Sequence, residues 1–172
     1  ASFNYNFAGS FGNSKSNLYG PAYTVRGYVP LNPKFSLTYG LDYSSLRGDK
    51  IRADRRIKLG GMHTNMNNNE FEFYGFNYQE KQLKDLINLT LGFKHKIVYS
   101  LYFNTKFNIA TFNEANSLQM QNSRARMWKN YSQGLGFSLS YDSPIGPIEF
   151  SVSSDLKNIK PIGSISIGYK FD

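Results

Sequence analysis

The chain has 172 residues, no cysteine and a formal net charge of +8, with 40% hydrophobic and 16% aromatic residues. That length fits one domain, and the missing thiols exclude a disulfide scaffold and any thiolate-ligated metal site. No run of about 18 apolar residues occurs, which excludes a transmembrane helix but not a β-barrel, whose strands are apolar only at every second position.

A first strand is expected near residues 2–10, with Phe3, Tyr5 and Phe7 on one face and Ser2, Asn4, Asn6 and Ala8 on the other. A polar loop at 12–17 leads to a second strand near 18–29, where Tyr23, Val25 and Val29 alternate with Ala22, Thr24 and Arg26. Pro30-Leu31-Asn32-Pro33 reads as a tight turn, because prolines cannot donate to a continuing ladder. The third strand, 35–46, sets Phe35, Leu37, Tyr39, Leu41 and Tyr43 against Ser36, Thr38, Gly40, Asp42 and Ser44. Residues 47–84 then break the pattern with a long, basic, Asn-rich insertion that carries Arg52, Arg55, Arg56 and Lys58. Loops of this length are functional or disordered.

Alternation resumes with Ile87, Leu89, Leu91 and Phe93 outward and Asn88, Thr90, Gly92 and Lys94 inward. After a turn at 96–98, Leu101, Phe103, Thr105, Phe107 and Ile109 oppose Tyr102, Asn104, Lys106, Asn108 and Ala110. Residues 113–130 form a second long loop with Arg124, Arg126, Trp128 and Lys129. Leu135, Phe137, Leu139 and Tyr141 next oppose Gly134, Gly136, Ser138 and Ser140, and a turn at 142–147 precedes Ile148, Phe150 and Val152. In the terminal strand Ile165, Ile167, Tyr169 and Phe171 alternate with Ser164, Ser166, Gly168 and Lys170.

About eight strands result, each long enough to cross a bilayer at a tilt. Short turns at 30–33, 96–98 and 142–146 share one rim, and both long insertions lie at the other. This is the asymmetry of a barrel with periplasmic turns and outer loops. The expected fold is therefore all-β, an antiparallel transmembrane outer-membrane barrel occupying 1–172 as one domain. The abundance of Tyr and Phe suits aromatic girdles at the two interfaces. The positive charge is expected on solvated loops and lumen, with anionic lipid or lipopolysaccharide phosphates as the alternative partner.

Three segments carry a family resemblance. Leu59-Gly60-Gly61 followed by Phe73-Tyr74-Gly75-Phe76 lies in the first long insertion, Asp142-Ser143-Pro144-Ile145-Gly146-Pro147 forms the penultimate turn, and the last strand ends on Phe171. Together they resemble the C-terminal half of the sixteen-stranded barrels of the BamA/two-partner-secretion translocator superfamily, most closely patatin-type phospholipase autotransporters of type Vd secretion. The resemblance implies an outer loop folded into the lumen through Gly60, Gly61, Phe73, Tyr74, Gly75 and Phe76. It also implies a terminal signal, Ile165, Ile167, Tyr169 and Phe171, read by the barrel-assembly machinery. Tyr74 stands where the superfamily often has arginine, which leaves no cation at the loop tip for a salt bridge to an acidic wall residue.

The expected function is that of a translocator or anchor barrel, with any patatin-like phospholipase passenger outside this chain. Closure is expected through a second copy or a missing half, and the alternative is a self-closed eight-stranded structural protein or adhesin. No catalytic constellation is present: the patatin G-x-S-x-G elbow is absent, and His63 and His95 are the sole histidines. No enzyme activity, metal, cofactor or nucleic-acid partner is expected of this chain. Inward-facing Arg26, Asp42, Lys94, Lys106, Glu149 and Lys170 are expected to pair with one another, the alternative being a selective ion path. Gly134, Gly136 and Gly168 are expected to allow bends or close packing against the infolded loop. The absence of a signal peptide is expected of a mature protein or an excised domain.

Overall fold

A computed structural model describes residues 2–6, 20–47, 55–62, 69–114, 130–144 and 146–168. Eight strands form one antiparallel sheet in the order β1 (Ser2–Asn6), β2 (Ala22–Asn32), β3 (Phe35–Ser45), β6 (Lys81–Val98), β7 (Leu101–Glu114), β8 (Tyr131–Ser143), β9 (Gly146–Asp155) and β10 (Ile162–Ile167). Two short strands, β4 (Ile57–Leu59) and β5 (Glu70–Phe71), belong to the first insertion. β4 pairs antiparallel with β6 and parallel with β5. Among the described residues β1 and β10 end the sheet and do not pair with each other, so the wall is open.

The register explains why alternation was so regular. One cross-strand row runs Val25, Leu41, Leu89 and Ile109; the adjacent row runs Thr24, Asp42, Asn88, Ala110 and Ser132. A single-residue slip would exchange these rows between faces. The leucines are open, Leu41 at 45% and Leu89 at 43% exposed, whereas Asp42 is 1% and Asn88 0% exposed. A water-soluble sheet would bury the leucines and expose the carboxylate. An apolar outer face with a polar inner one fits hydrocarbon outside and lumen inside.

Three boundaries differ from the sequence pattern. β2 continues through Pro30 and Leu31 to Asn32, with an irregularity between Pro30 and Asn32. The turn sits at Pro33 and Lys34, closed by the Asn32 Oδ1 atom, which accepts from the backbone N–H groups of Lys34 and Phe35 at 2.9 Å each. β6 begins at Lys81, earlier than alternation suggested, because a bulge between Leu83 and Asp85 shifts the side-chain parity there. Finally, the described part of the insertion is structured: Ile57, Leu59 and Phe71 pack with Phe73, Phe76, Leu83, Leu86 and Phe112 into an apolar core at the outer-loop end of the wall.

Candidate functional site

The site is the inner wall where residues 57–62 and 69–80 lie against it. The insertion first makes its own frame. Gly60 N–H donates to Phe71 O (3.1 Å), Gly61 N–H to Phe76 O (3.0 Å), and Phe73 N–H to Gly61 O (3.1 Å). A side chain on Gly60 would meet Phe76 Cβ at 3.1 Å and Asn77 O more closely, so the tight return of 76–77 requires glycine there. At the outer rim Glu70 accepts from Tyr78 Oη at 2.9 Å and from Gln79 Nε2 at 2.7 Å. That bond to a carboxylate, more than burial, holds the Tyr78 phenol above its ordinary value.

The frame then docks on four strands. Asn88 of β6 donates from Nδ2 to Glu72 O at 3.3 Å, and Asn108 of β7 accepts from Tyr74 N–H at 3.2 Å. Ser153 of β9 accepts from Gly75 N–H at 3.2 Å. Gly75 has φ +111°, and a Cβ there would lie 2.6 Å from Asp155 Cα. On β8, Gly134 and Gly136 leave the groove into which Tyr74 fits. A Cβ on Gly134 would stand 2.6 Å from the Tyr74 carbonyl carbon, and one on Gly136 would stand 2.6 Å from Tyr74 Cδ1. Tyr74 is 3% and Phe73 0% exposed, and Phe73 stacks on Phe76 at 4.5 Å. Lys106 Nζ sits 5.3 Å above the Tyr74 ring, and Tyr74 Oη donates to Glu72 Oε2 at 3.3 Å.

Beside this seat, in register with Asn88, Asp42 carries the main polar junction. It accepts from Thr24 Oγ1 (3.1 Å) and Asn88 Nδ2 (2.9 Å), and it pairs with Arg26 Nη2 at 3.6 Å. Near the outer rim Asp85 accepts from Ser45 Oγ (2.6 Å), Arg47 Nη1 (2.7 Å) and Asn113 Nδ2 (3.0 Å). The expected mutual pairing of lumen charges thus holds for Arg26 with Asp42. Among the described residues no ion pair extends it to Lys94 and Lys106, whose ammonium groups rest over Tyr102 and Tyr74.

All six glycine and aromatic positions singled out from 60 to 76 lie in this one arrangement. Alternation could not mark Asn88, Asn108 and Ser153 as its receptors, because a lumen-facing amide or hydroxyl looks alike whether or not it holds a loop. Ile165 and Ile167 lie on the outer face of β10, and both are exposed. Tyr169, Phe171, Lys170 and His63 lie outside the described residues. His95 stacks on Phe35 at 4.2 Å near the short-turn rim.

Comparison with known proteins agrees with this geometry. No curated protein matches the sequence. In fold, the chain is similar to BamA from Haemophilus ducreyi lacking POTRA domains 1–3, at a TM-score of 0.63 and 15% identity over 95% of this chain. It spans 41% of the length of that chain. The model of the OMP85 superfamily matches residues 29–171. With the inside-out polarity of its sheet, that match places the chain in the OMP85 superfamily as part of a bacterial outer-membrane β-barrel.

Proposed function

We propose that this chain is the C-terminal half of the translocator barrel of an autotransporter-like secreted protein. It anchors an exported passenger, by resemblance a patatin-like phospholipase, carried on a segment outside this chain. The observation that carries the reading is an eight-strand wall with both edge strands unpaired among the described residues and a loop already docked on its lumen face. Edges of a sheet do not persist unpaired in lipid, so further strands complete the wall. A second copy of this chain supplies them most simply, giving sixteen strands in all. Gly60, Gly61, Phe73, Tyr74, Gly75 and Phe76 act as the lumen plug. The outward Ile165 and Ile167, continued by Tyr169 and Phe171, act as the signal for the barrel-assembly machinery. Lipid and lipopolysaccharide cover the outer face.

Native mass spectrometry of the chain folded in detergent tests the reading. Two 19.6 kDa chains released together support two half-walls in one barrel. A heat-modifiable monomer overturns it and puts a self-closed eight-stranded anchor in its place.

A further inference from the structure

The outer face of β8, β9 and β10 is not a uniform apolar surface. The register sets two neighbouring outward rows, Phe103–Leu139–Phe150–Ile165 and Thr105–Phe137–Val152–Gly163. In the second row β10 contributes no side chain, and a Cβ on Gly163 would meet nothing nearer than Ser151 O at 4.0 Å. The gap is part of a groove of about 680 Å³ walled by Phe137, Phe150, Val152 and Ile165. Phe137 is braced by the Phe103 ring, stacked at 6.2 Å. Phe150, Val152 and Ile165 are each more than half exposed, so nothing among the described residues covers the groove.

Its depth follows from the tyrosines of β8. Tyr131 and Tyr141 share the outward parity at opposite ends of the strand, and both are exposed. Ten positions span about 34 Å of strand, or about 26 Å of depth at a tilt of about 40°. That equals the apolar band between two aromatic girdles, about 25 Å tall. Phe137 lies six positions below Tyr131, at about 15 Å of depth by the same conversion, which is half of a hydrocarbon core about 30 Å thick. The groove therefore sits one leaflet below the outer girdle.

At that girdle stands a cation. Lys157 Nζ lies 3.5 Å from the Tyr131 ring centroid and donates to Tyr131 O. Lys160 shares the β9–β10 hairpin and is exposed, as are Leu156 and Ile159. Neither lysine has a carboxylate within 4.0 Å among the described residues. Both also border a crevice with Glu80, Glu114 and Asp155, but those three are engaged. Glu80 accepts from Asn77 N–H at 2.8 Å, and Glu114 pairs with Lys81 at 3.3 Å. Asp155 is buried and accepts from the Lys157 backbone N–H at 3.0 Å. A ring face orients the Lys157 ammonium without cancelling its charge.

Uncompensated cations at the outer interface, with an apolar groove one leaflet beneath them, match the two ends of one amphiphile. We propose that β8, β9 and β10 bind a phosphorylated lipid of the outer leaflet, its phosphate at Lys157 and Lys160 and an acyl chain in the groove at Gly163. The phosphate gains charge-assisted bonds, and the chain fills a notch that Gly163 leaves beside Val152. The proposal rests on the anchor reading only for orientation, which puts the β9–β10 hairpin at the outer leaflet. It does not depend on how the wall closes.

The test titrates the full chain, folded in detergent, with diphosphorylated lipid A and reads bound lipid by native mass spectrometry. One lipid per chain is expected, held at least tenfold tighter than the same lipid with both phosphates removed. K157Q/K160Q is expected to lose at least tenfold in affinity, and K157R/K160R to restore it. K34Q/K96Q removes equal charge near the short-turn rim and is expected to bind like the parent. Gly163→Phe fills the groove and is expected to weaken binding at least fivefold. Gly163→Leu is measured beside it, and a heat-dependent gel shift confirms that each variant folds. Equal affinity for the dephosphorylated lipid overturns the proposal, as does equal loss in the two lysine pairs or parental binding by both filled-groove variants. Displacement of the lipid by equimolar inorganic pyrophosphate also overturns it, since that marks a site for free anions. The same spectra give the number of chains per barrel, so a failure of the half-wall reading is seen separately from a failure of the lipid site.

Discussion

Replacing Gly134 by alanine adds one methyl group, yet it should release the whole docked loop. The new Cβ would lie 2.6 Å from the Tyr74 carbonyl carbon, nearer still to its oxygen, and 3.2 Å from Phe73 Cε1. The first two atoms are backbone, so no rotamer change relieves the clash. The loop must move outward by more than an ångström, beyond the reach of the two 3.2 Å bonds from Tyr74 N–H to Asn108 and from Gly75 N–H to Ser153. Those bonds contribute about 1 kcal/mol each. Partial exposure of Phe73 and Tyr74 costs about 2 kcal/mol for each ring. The sum, on the order of 6 kcal/mol, exceeds what a local seat of this size can lose and stay populated.

Hydrogen exchange of the variant in detergent should therefore show residues 70–80 unprotected while β7, β8 and β9 keep their protection. Gly163→Ala supplies the contrast, because its nearest non-neighbour atom is Ser151 O at 4.0 Å. That variant should exchange like the parent. Unchanged protection of 70–80 in Gly134→Ala would refute the reasoning, since it would mean the loop does not rest on the β8 backbone.

Other substitutions separate the parts of the site. Phe73→Ala empties a fully buried position stacked on Phe76 and should lower stability by about 3–5 kcal/mol, measured as the urea midpoint of the folded gel band. Asp85→Ala removes the acceptor of Ser45, Arg47 and Asn113 and should cost about 2–3 kcal/mol; Asp85→Asn, which keeps an acceptor, should cost less in the same assay. Gly27→Ala presses first on the Tyr39 side chain, which lies across Gly27 on the outer face, with Oη nearest and Cζ 2.5 Å from the added Cβ. That side chain can swing into lipid, so the expected loss is under about 1 kcal/mol, with Tyr39 becoming more accessible to a lipid-borne quencher.

The wall was legible because a barrel strand states its fold in every pair of residues. Phe35 to Ser44 alternate without a break, and the register confirms each position against β6. The sequence misled where one residue changed the phase. At the bulge between Leu83 and Asp85 the apolar positions stop alternating, so the first turn of β6 looked like loop. Pro30 lies within β2 although a proline at that place signals a turn; Asn32, not either proline, closes the hairpin. The insertion was harder still. β4 and β5 have three and two residues, too few for any period to show, and they are held by pairing with β6 and with each other. What the sequence did offer was glycine at alternate inward positions of β8, which allows either a bend or close packing against the infolded loop, and the structure shows the close packing.

The contacts that seat the loop show why Tyr74 can stand at its tip. The wall holds the loop mainly through its backbone: Asn88 takes the Glu72 carbonyl, Asn108 the Tyr74 N–H, and Ser153 the Gly75 N–H. None of these depends on the side chain at position 74. The glycine groove of β8 requires that side chain to be flat where it crosses Gly136, and a phenol ring meets that requirement. An arginine at the tip would bring its charge to Lys106, in a crevice that Glu149 of the wall also lines. Here the cation belongs to the wall, as Lys106, and the loop supplies the ring and the Glu72 carboxylate.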